Sequence, residues 1–329
     1  RIYVGPLFAL DAYPETYAAE VAASGLAWPG PPDDRRLADS LAGKPGIDLV
    51  TWVEQAEAFA VFFGESLRAA VARPDWDLLL GYVPVIDEAG HQLWLEDPRQ
   101  PFFTPELQRA ATEARTRVWQ AVDRELAGLL AKLDLRTTTV AVVSDHGMAP
   151  VHTALDANVL LRERGLLVTG ENSRPRPEGT RAHAVSSGSV CHVYLAPNLG
   201  EPAEREQLIG ELRPLFAAWE AGGERAVGRL FTRREAAAVG LDHPNSGDLV
   251  LFAAPGFTFH GGGLAQGRAV LPSSALGMHG YVNDDPRMHG IYLALGAGIT
   301  PGRPGSVKAT EIAGRVAGWL GIEPPRRTP

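Results

Sequence analysis

From Thr104 to Gly147 the chain switches period without a break, and this alternation limits the folds open to it. Thr104 followed by Pro105 is a helix start, a cap residue and then proline in the first turn. Leu107, Ala110, Ala114, Val118 and Val122 then recur at helical spacing and carry the helix to about Leu133. The next stretch, "TTTVAVV" over residues 137–143, is rich in β-branched residues and reads as a buried strand. Strand and helix alternate elsewhere too: an amphipathic helix over residues 51–72 is stopped by Pro74, and "WDLLLGYVPVID" reads as an apolar strand from Leu78 to Val85. Such alternation predicts an α/β fold with a mostly parallel central sheet flanked by helices.

The texture changes between Val151 and Pro244. "ENSRPRPEGTRAH" is rich in turn formers, "SVCHVYLAP" is a short strand and "EPAEREQLIGELRPLFAAWE" a charged helix. Residues 151–244 are therefore expected to form an inserted α+β region, with the core from residues 1–150 and 245–329. "GDLVLFAAPGFTF", "HGIYLALGAGI" and a last helix from Ala309 to Leu320 complete that core. No run reaches the roughly 18 apolar residues of a membrane span.

Two strands expected in the core end on groups that cost free energy to bury, and a third such group comes just before the strand at Ile291. "VIDEAGH" brings Asp87 and His91, "VVSDHGM" brings Asp145 and His146, and "GMHGY" brings His279 between Gly277 and Gly280, which are expected to let the backbone turn tightly. Burying such groups without partners costs about 2–7 kcal/mol each. In open α/β sheets the functional crevice lies beyond the carboxyl ends of the strands. Carboxylate and imidazole together are ligands for zinc or a similar divalent ion. Asp145 and His146 are neighbours and would point to opposite faces of a continuing strand; the chain must leave the strand there, which Gly147 permits. Taken alone, "SDHG" also reads as a turn or cap and "DEAGH" as a solvated loop. The three segments together point to a metal site.

Composition narrows the chemistry further. With 329 residues and a formal net charge of -8, the chain has no basic run to hold a nucleic-acid backbone, so no nucleic-acid partner is expected. Anionic small molecules remain suitable substrates, since a bound cation reverses the local field. Cys191 is the only cysteine, which rules out an intrachain disulfide and reads as a small apolar core residue. Only Lys44, Lys132 and Lys308 are lysines, a bias that fits a GC-rich bacterial source.

The wording and order of "YVPVIDEAGH", "VVSDHGM" and "GMHGY" resemble the metal-binding motifs of the type I phosphodiesterase and nucleotide pyrophosphatase family of the alkaline phosphatase superfamily. "LDANVLLRERGLL" and "GDLVLFAAPGF" extend the resemblance over roughly residues 75 to 325. It implies an alkaline-phosphatase-like fold and a hydrolase that cleaves a phosphodiester or pyrophosphate bond in a small phosphate ester with two zinc ions. Asp87, His91 and His279 would hold one ion, Asp145 and His146 part of the other, and Tyr82 would line the substrate pocket. A phosphomonoesterase, mutase or sulfatase of the same superfamily would share these ligands, and a homologue without a nucleophile would bind metal or nucleotide only. The family's nucleophilic Thr or Ser, and a further metal-binding Asp, are expected upstream of Arg1. Asp11 and Thr16, in "ALDAYPETY", read instead as part of an ordinary helix start. Since the chain opens on Arg1, it leaves cellular location unread; oligomeric state is equally unread. His152 and His260 are expected at the surface or behind the ligands, His289 is the rival to His279 but the glycine setting favours His279, and His183, His192 and His243 have no partner pattern.

Overall fold

The computed structural model describes residues 27–74 and 76–324, with Ala19; Asp11 and Thr16 lie outside them. The helices α1 (Asp34–Leu41), α2 (Leu49–Val71), α3 (Val85–Leu93) and α4 (Pro105–Leu130) precede the described strands. The strands β1 (Thr139–Val143) and β2 (Ala149–Leu155) lead to α5 (Ala157–Glu163) and the hairpin β3 (Ala182–Ser187) and β4 (Val190–Leu195). After α6 (Pro202–Ala217) come β5 (Val227–Thr232), β6 (Leu249–Ala253), β7 (Gly256–Phe259), β8 (Val270–Pro272), β9 (Gly277–Met278) and β10 (Tyr292–Gly296), and α7 (Ile312–Leu320) closes the series. Two compact units share the chain: residues 1–89, 113–145 and 290–329 in one, residues 90–112 and 146–289 in the other, with the boundaries at 89/90 and 112/113 inside α3 and α4.

In the first unit, Asp48 caps α2 by accepting from the Thr51 amide at 2.8 Å. The buried face of α2 includes Trp52, Phe59 and Phe62, and Trp28 packs edge-on against Phe59 and Phe62 with centroids 5.2 and 4.8 Å apart. Full burial of each such ring contributes about 1.5–3 kcal/mol. Arg68 of α2 pairs with Glu125 of α4 at 2.6 Å, and both side chains are largely covered. The expected cap of α4 is present, with Thr104 Oγ1 accepting from the Leu107 amide at 3.1 Å. β1 pairs antiparallel with β10. Val143 and Leu293, towards the same end of that ladder, are 43% and 57% exposed, so β1 is less buried than its β-branched run predicts.

The strand expected over Leu78–Val85 is not formed. Residues 78–83 are irregular and α3 begins at Val85. Leu80 is 85% exposed, and among the described residues no strand offers this stretch a ladder; without one, an apolar run cannot satisfy its backbone as a strand. Helix formation from Val85 follows another signal in the same residues: Val85, Ala89 and Leu93 repeat every four positions and are all buried.

In the second unit, four strands pair in the order β3-β4-β6-β5, all antiparallel. β2 is flanked by β7, parallel, and β8, antiparallel, and also pairs with β9. The apolar core between includes the fully buried Leu155, Leu161, Leu249, Leu251 and Phe216. The α/β class expected from the sequence holds. Its parallel component among the described strands is the β2–β7 pair; the rest are antiparallel, since β3 and β4 join through a tight turn at Gly188. The four-stranded sheet draws β4 and β5 from before residue 244 and β6 from after it, so the expected insertion boundary falls between partners of one sheet. No helix among the described residues is long and apolar enough to cross a membrane.

Candidate functional site

Asp87 and His91 lie on α3 rather than beyond a strand. Their four-residue spacing puts both on one side of that helix, opposite the buried stripe of Val85, Ala89 and Leu93. Asp87 occupies the first turn, where the unpaired amides of a helix start favour a negative charge.

Within the first unit, Asp87 and Asp145 act on the same group. The Tyr82 hydroxyl is raised above its ordinary value, first by partial desolvation and then by the negative charges of Asp87, Asp145 and Glu88. Asp145 is exposed and follows the end of β1, where the Ser144 amide donates to the Ile291 carbonyl at 3.1 Å and Ser144 Oγ accepts from the Ile291 amide at 2.8 Å.

Within the second unit, three histidines from three segments meet. His279 stacks on His146 with centroids 3.6 Å apart and planes 11° from parallel, and lies 5.2 Å from His91. Ring nitrogens of His146 and His279 come within 4.8 Å of each other. The β2–β9 ladder sets this: Met278 pairs with Ala149, so the next residue along β9 passes beside the chain that carries His146. The rings are oriented by backbone carbonyls. His91 Nδ1 is 2.9 Å from the Gly277 oxygen and His146 Nδ1 is 2.9 Å from the Gly147 oxygen. A carbonyl only accepts, so both Nδ1 atoms carry hydrogen, which in a neutral ring leaves Nε2 as the atom with the lone pair. That is the arrangement found behind metal-binding histidines.

The glycines around these rings have separable roles. Gly280 has φ of +88°, the left-handed region that favours glycine. Gly277 and Gly147 are not left-handed; they are there for close approach. A Cβ on Gly277 would collide with the Gly90 carbonyl oxygen, and one on Gly147 would collide with the Arg287 carbonyl oxygen and lie 2.9 Å from that of His289. The Gly147 amide meanwhile donates to the Met288 carbonyl at 3.0 Å. Gly147→Ala should therefore force a backbone shift and cost about 1–3 kcal/mol, the range for overpacking a filled site. Thermal unfolding of the variant measures this, and an unchanged midpoint would show that the 286–289 turn yields freely.

The turn between β3 and β4, to which sequence reasoning assigned no role, braces His279 from behind. The Ser189 amide donates to the His279 carbonyl at 2.9 Å, and a Cβ on Gly188 would lie 2.7 Å from the same oxygen. The remaining histidines stand elsewhere. His289 is exposed at the end of the 286–288 turn. His260 is exposed and accepts from the Gly262 amide. His152 is buried in β2 with Nδ1 2.8 Å from Thr153 Oγ1, and burial, then the nearby Arg99 charge, pulls its ring below the usual histidine range. His192 accepts from the Gly247 amide at 3.0 Å. Cys191 is fully buried, its thiol pushed up to about 12 by burial, as its reading as a core residue requires.

The family described as type I phosphodiesterase / nucleotide pyrophosphatase matches residues 13–282. No curated protein matches the chain. Among solved structures the chain is similar to murine ectonucleotide pyrophosphatase / phosphodiesterase 5, with 15% identity and a TM-score of 0.45, over 86% of this chain and 61% of that one. This chain thus spans about three fifths of the length of that relative.

Proposed function

Because this chain belongs to the type I phosphodiesterase/nucleotide pyrophosphatase family, we propose that it hydrolyses a phosphodiester or pyrophosphate bond in a small phosphate ester, using two zinc ions. The observation that carries this reading is the meeting of His91, His146 and His279, with the Nδ1 atoms of two of them committed to backbone carbonyls. In this reading Asp87, His91 and His279 hold one ion, Asp145 and His146 contribute to the second, and Tyr82 lines the substrate pocket.

The donor set suits the metal. Imidazole and carboxylate are zinc ligands at about 2.0–2.2 Å, and the Nδ1–H bonds to Gly277 and Gly147 hold the rings with Nε2 available as the ligating atom. When bound, two such ions supply the positive charge that offsets the charge of the attacking and leaving oxygens in an in-line displacement. The protein's own contribution is orientation. The carbonyl bonds fix the imidazoles before any ligand arrives, and the raised Tyr82 hydroxyl stays neutral at ordinary pH, a donor for a phosphate oxygen.

Hydrolysis of bis-nitrophenyl and mono-nitrophenyl phosphate by the purified chain tests the reading. The diester should be the better substrate, a chelator should stop turnover and zinc should restore it. Preference for the monoester would place the chain with phosphomonoesterases, and a chain that takes up no zinc would end the metal reading.

A further inference from the structure

We propose that Gln100, outside every motif described above, is a positioning residue for the histidine cluster, its side-chain amide tying the end of the His91 helix to the segment that leads into His279. The proposal rests on the metal-binding reading of the preceding subsection.

Gln100 is 3% exposed, on the loop that follows α3. Its Nε2 donates to the Leu276 carbonyl at 2.6 Å and the Trp94 carbonyl at 2.9 Å, with the Val151 carbonyl farther away at 3.3 Å. An amide has two hydrogens, so the two short bonds take them and Val151 shares one. Its Oε1 accepts from the Glu96 and Asp97 amides, each at 2.6 Å. One side chain thus satisfies backbone groups from three segments. Trp94 follows His91 by three residues, Leu276 precedes His279 by three, and Val151 lies on the strand that follows His146.

The route from this amide to the rings is short. The Leu276 amide donates to the His91 carbonyl at 2.7 Å, and the Leu276 carbonyl accepts from the Val151 amide at 3.0 Å as well as from Gln100. Leu276 is bonded to Gly277, whose carbonyl accepts from the His91 ring. A tilt of the Leu276–Gly277 backbone therefore rotates the His91 imidazole and shifts the start of the strand that delivers His279. Gln100 removes that freedom. The loop 96–100 is itself anchored, with Arg99 bridging Asp97 at 2.7 Å and Glu224 at 2.7 Å, so the amide acts from a fixed base.

The test is cobalt(II) binding to the full chain, read from the visible absorption of the bound ion, in wild type, Gln100→Met, Gln100→Glu and Asn158→Leu. Gln100→Met removes both halves of the amide. Gln100→Glu keeps the acceptor for Glu96 and Asp97 and loses the donor. Asn158→Leu is the control: its buried amide bonds both backbone groups of Ala184 at 2.8 Å and is bonded to none of the segments that carry His91, His146 and His279. Both Gln100 variants should bind cobalt about 10- to 100-fold more weakly, the scale for losing a group that orients a ligand, with an altered spectrum. Asn158→Leu should lower the unfolding temperature and leave affinity and spectrum as in wild type. Unchanged cobalt binding in the Gln100 variants would overturn the proposal, as would weakening in all variants in proportion to lost thermal stability. Failure of both Gln100 variants to fold would show a purely structural role and overturn it too. Wild type that takes up no cobalt would overturn the metal reading itself, and this proposal with it, an outcome distinct from the others because it appears before any substitution.

Discussion

Replacing His279 by Ala should strip the protein of most of its divalent metal and of its hydrolytic activity, while His289→Ala should leave both near wild type. The two histidines stand ten residues apart, and in the sequence only the glycine setting of His279 favours it over His289. The structure separates them. The His279 ring is stacked on His146 and close to His91, whereas His289 is exposed. The His279 backbone is held without its ring, by the Ser189 amide and the β2–β9 ladder, so truncation should be a local loss. Removing a group that merely orients a ligand costs about 10–100-fold in metal affinity, and removing the ligand should cost at least as much. Metal content by mass spectrometry after gel filtration, with circular dichroism to show that both variants fold, checks this. Equal retention of metal in the two variants would sink the assignment of His279.

What the sequence made legible depended on whether the deciding interaction was local. The α4 start at Thr104–Pro105 was readable because a cap acts over three residues. α3 was misread because "LLLGYVPVID" is an apolar run, and its outcome depends on whether another strand offers a ladder. The correct signal was present in Pro84 and in the spacing of Val85, Ala89 and Leu93. The histidines stand out in the sequence because imidazole and carboxylate at the ends of apolar segments need partners. Their supports were not found. Gln100 carries no pattern in "EDPRQPFF", since its Nε2 partners include carbonyls 51 and 176 residues away. Gly147 and Gly277 were noticed for turning, but close approach to the Arg287 and Gly90 carbonyls explains them, and close approach is visible only in three dimensions. The β3–β4 turn behind His279 is a case of the same kind.

Asp145→Asn should leave the fold intact and lower turnover of bis-nitrophenyl phosphate by at least about a hundredfold, the lower end of what loss of one group in a preorganised charged site costs. The substitution keeps the shape of the side chain and removes its charge, which separates two accounts of this residue. If Asp145 were a turn former, Asn would replace it with little loss, because both side chains serve turns. Its position argues against that role. The end of β1 is already fixed by the reciprocal bonds of Ser144 with Ile291, and Asp145 itself is exposed, so stability should change by no more than about 0.5 kcal/mol. The carboxylate instead bears on Tyr82 together with Asp87, placing two negative charges where the metal reading needs them. The check is turnover at saturating zinc alongside thermal unfolding of wild type and variant. Lost activity with an unchanged unfolding midpoint supports a role in holding the second ion. Lost activity accompanied by a large drop in that midpoint would return Asp145 to a structural part, and wild-type turnover in the variant would remove it from the site altogether.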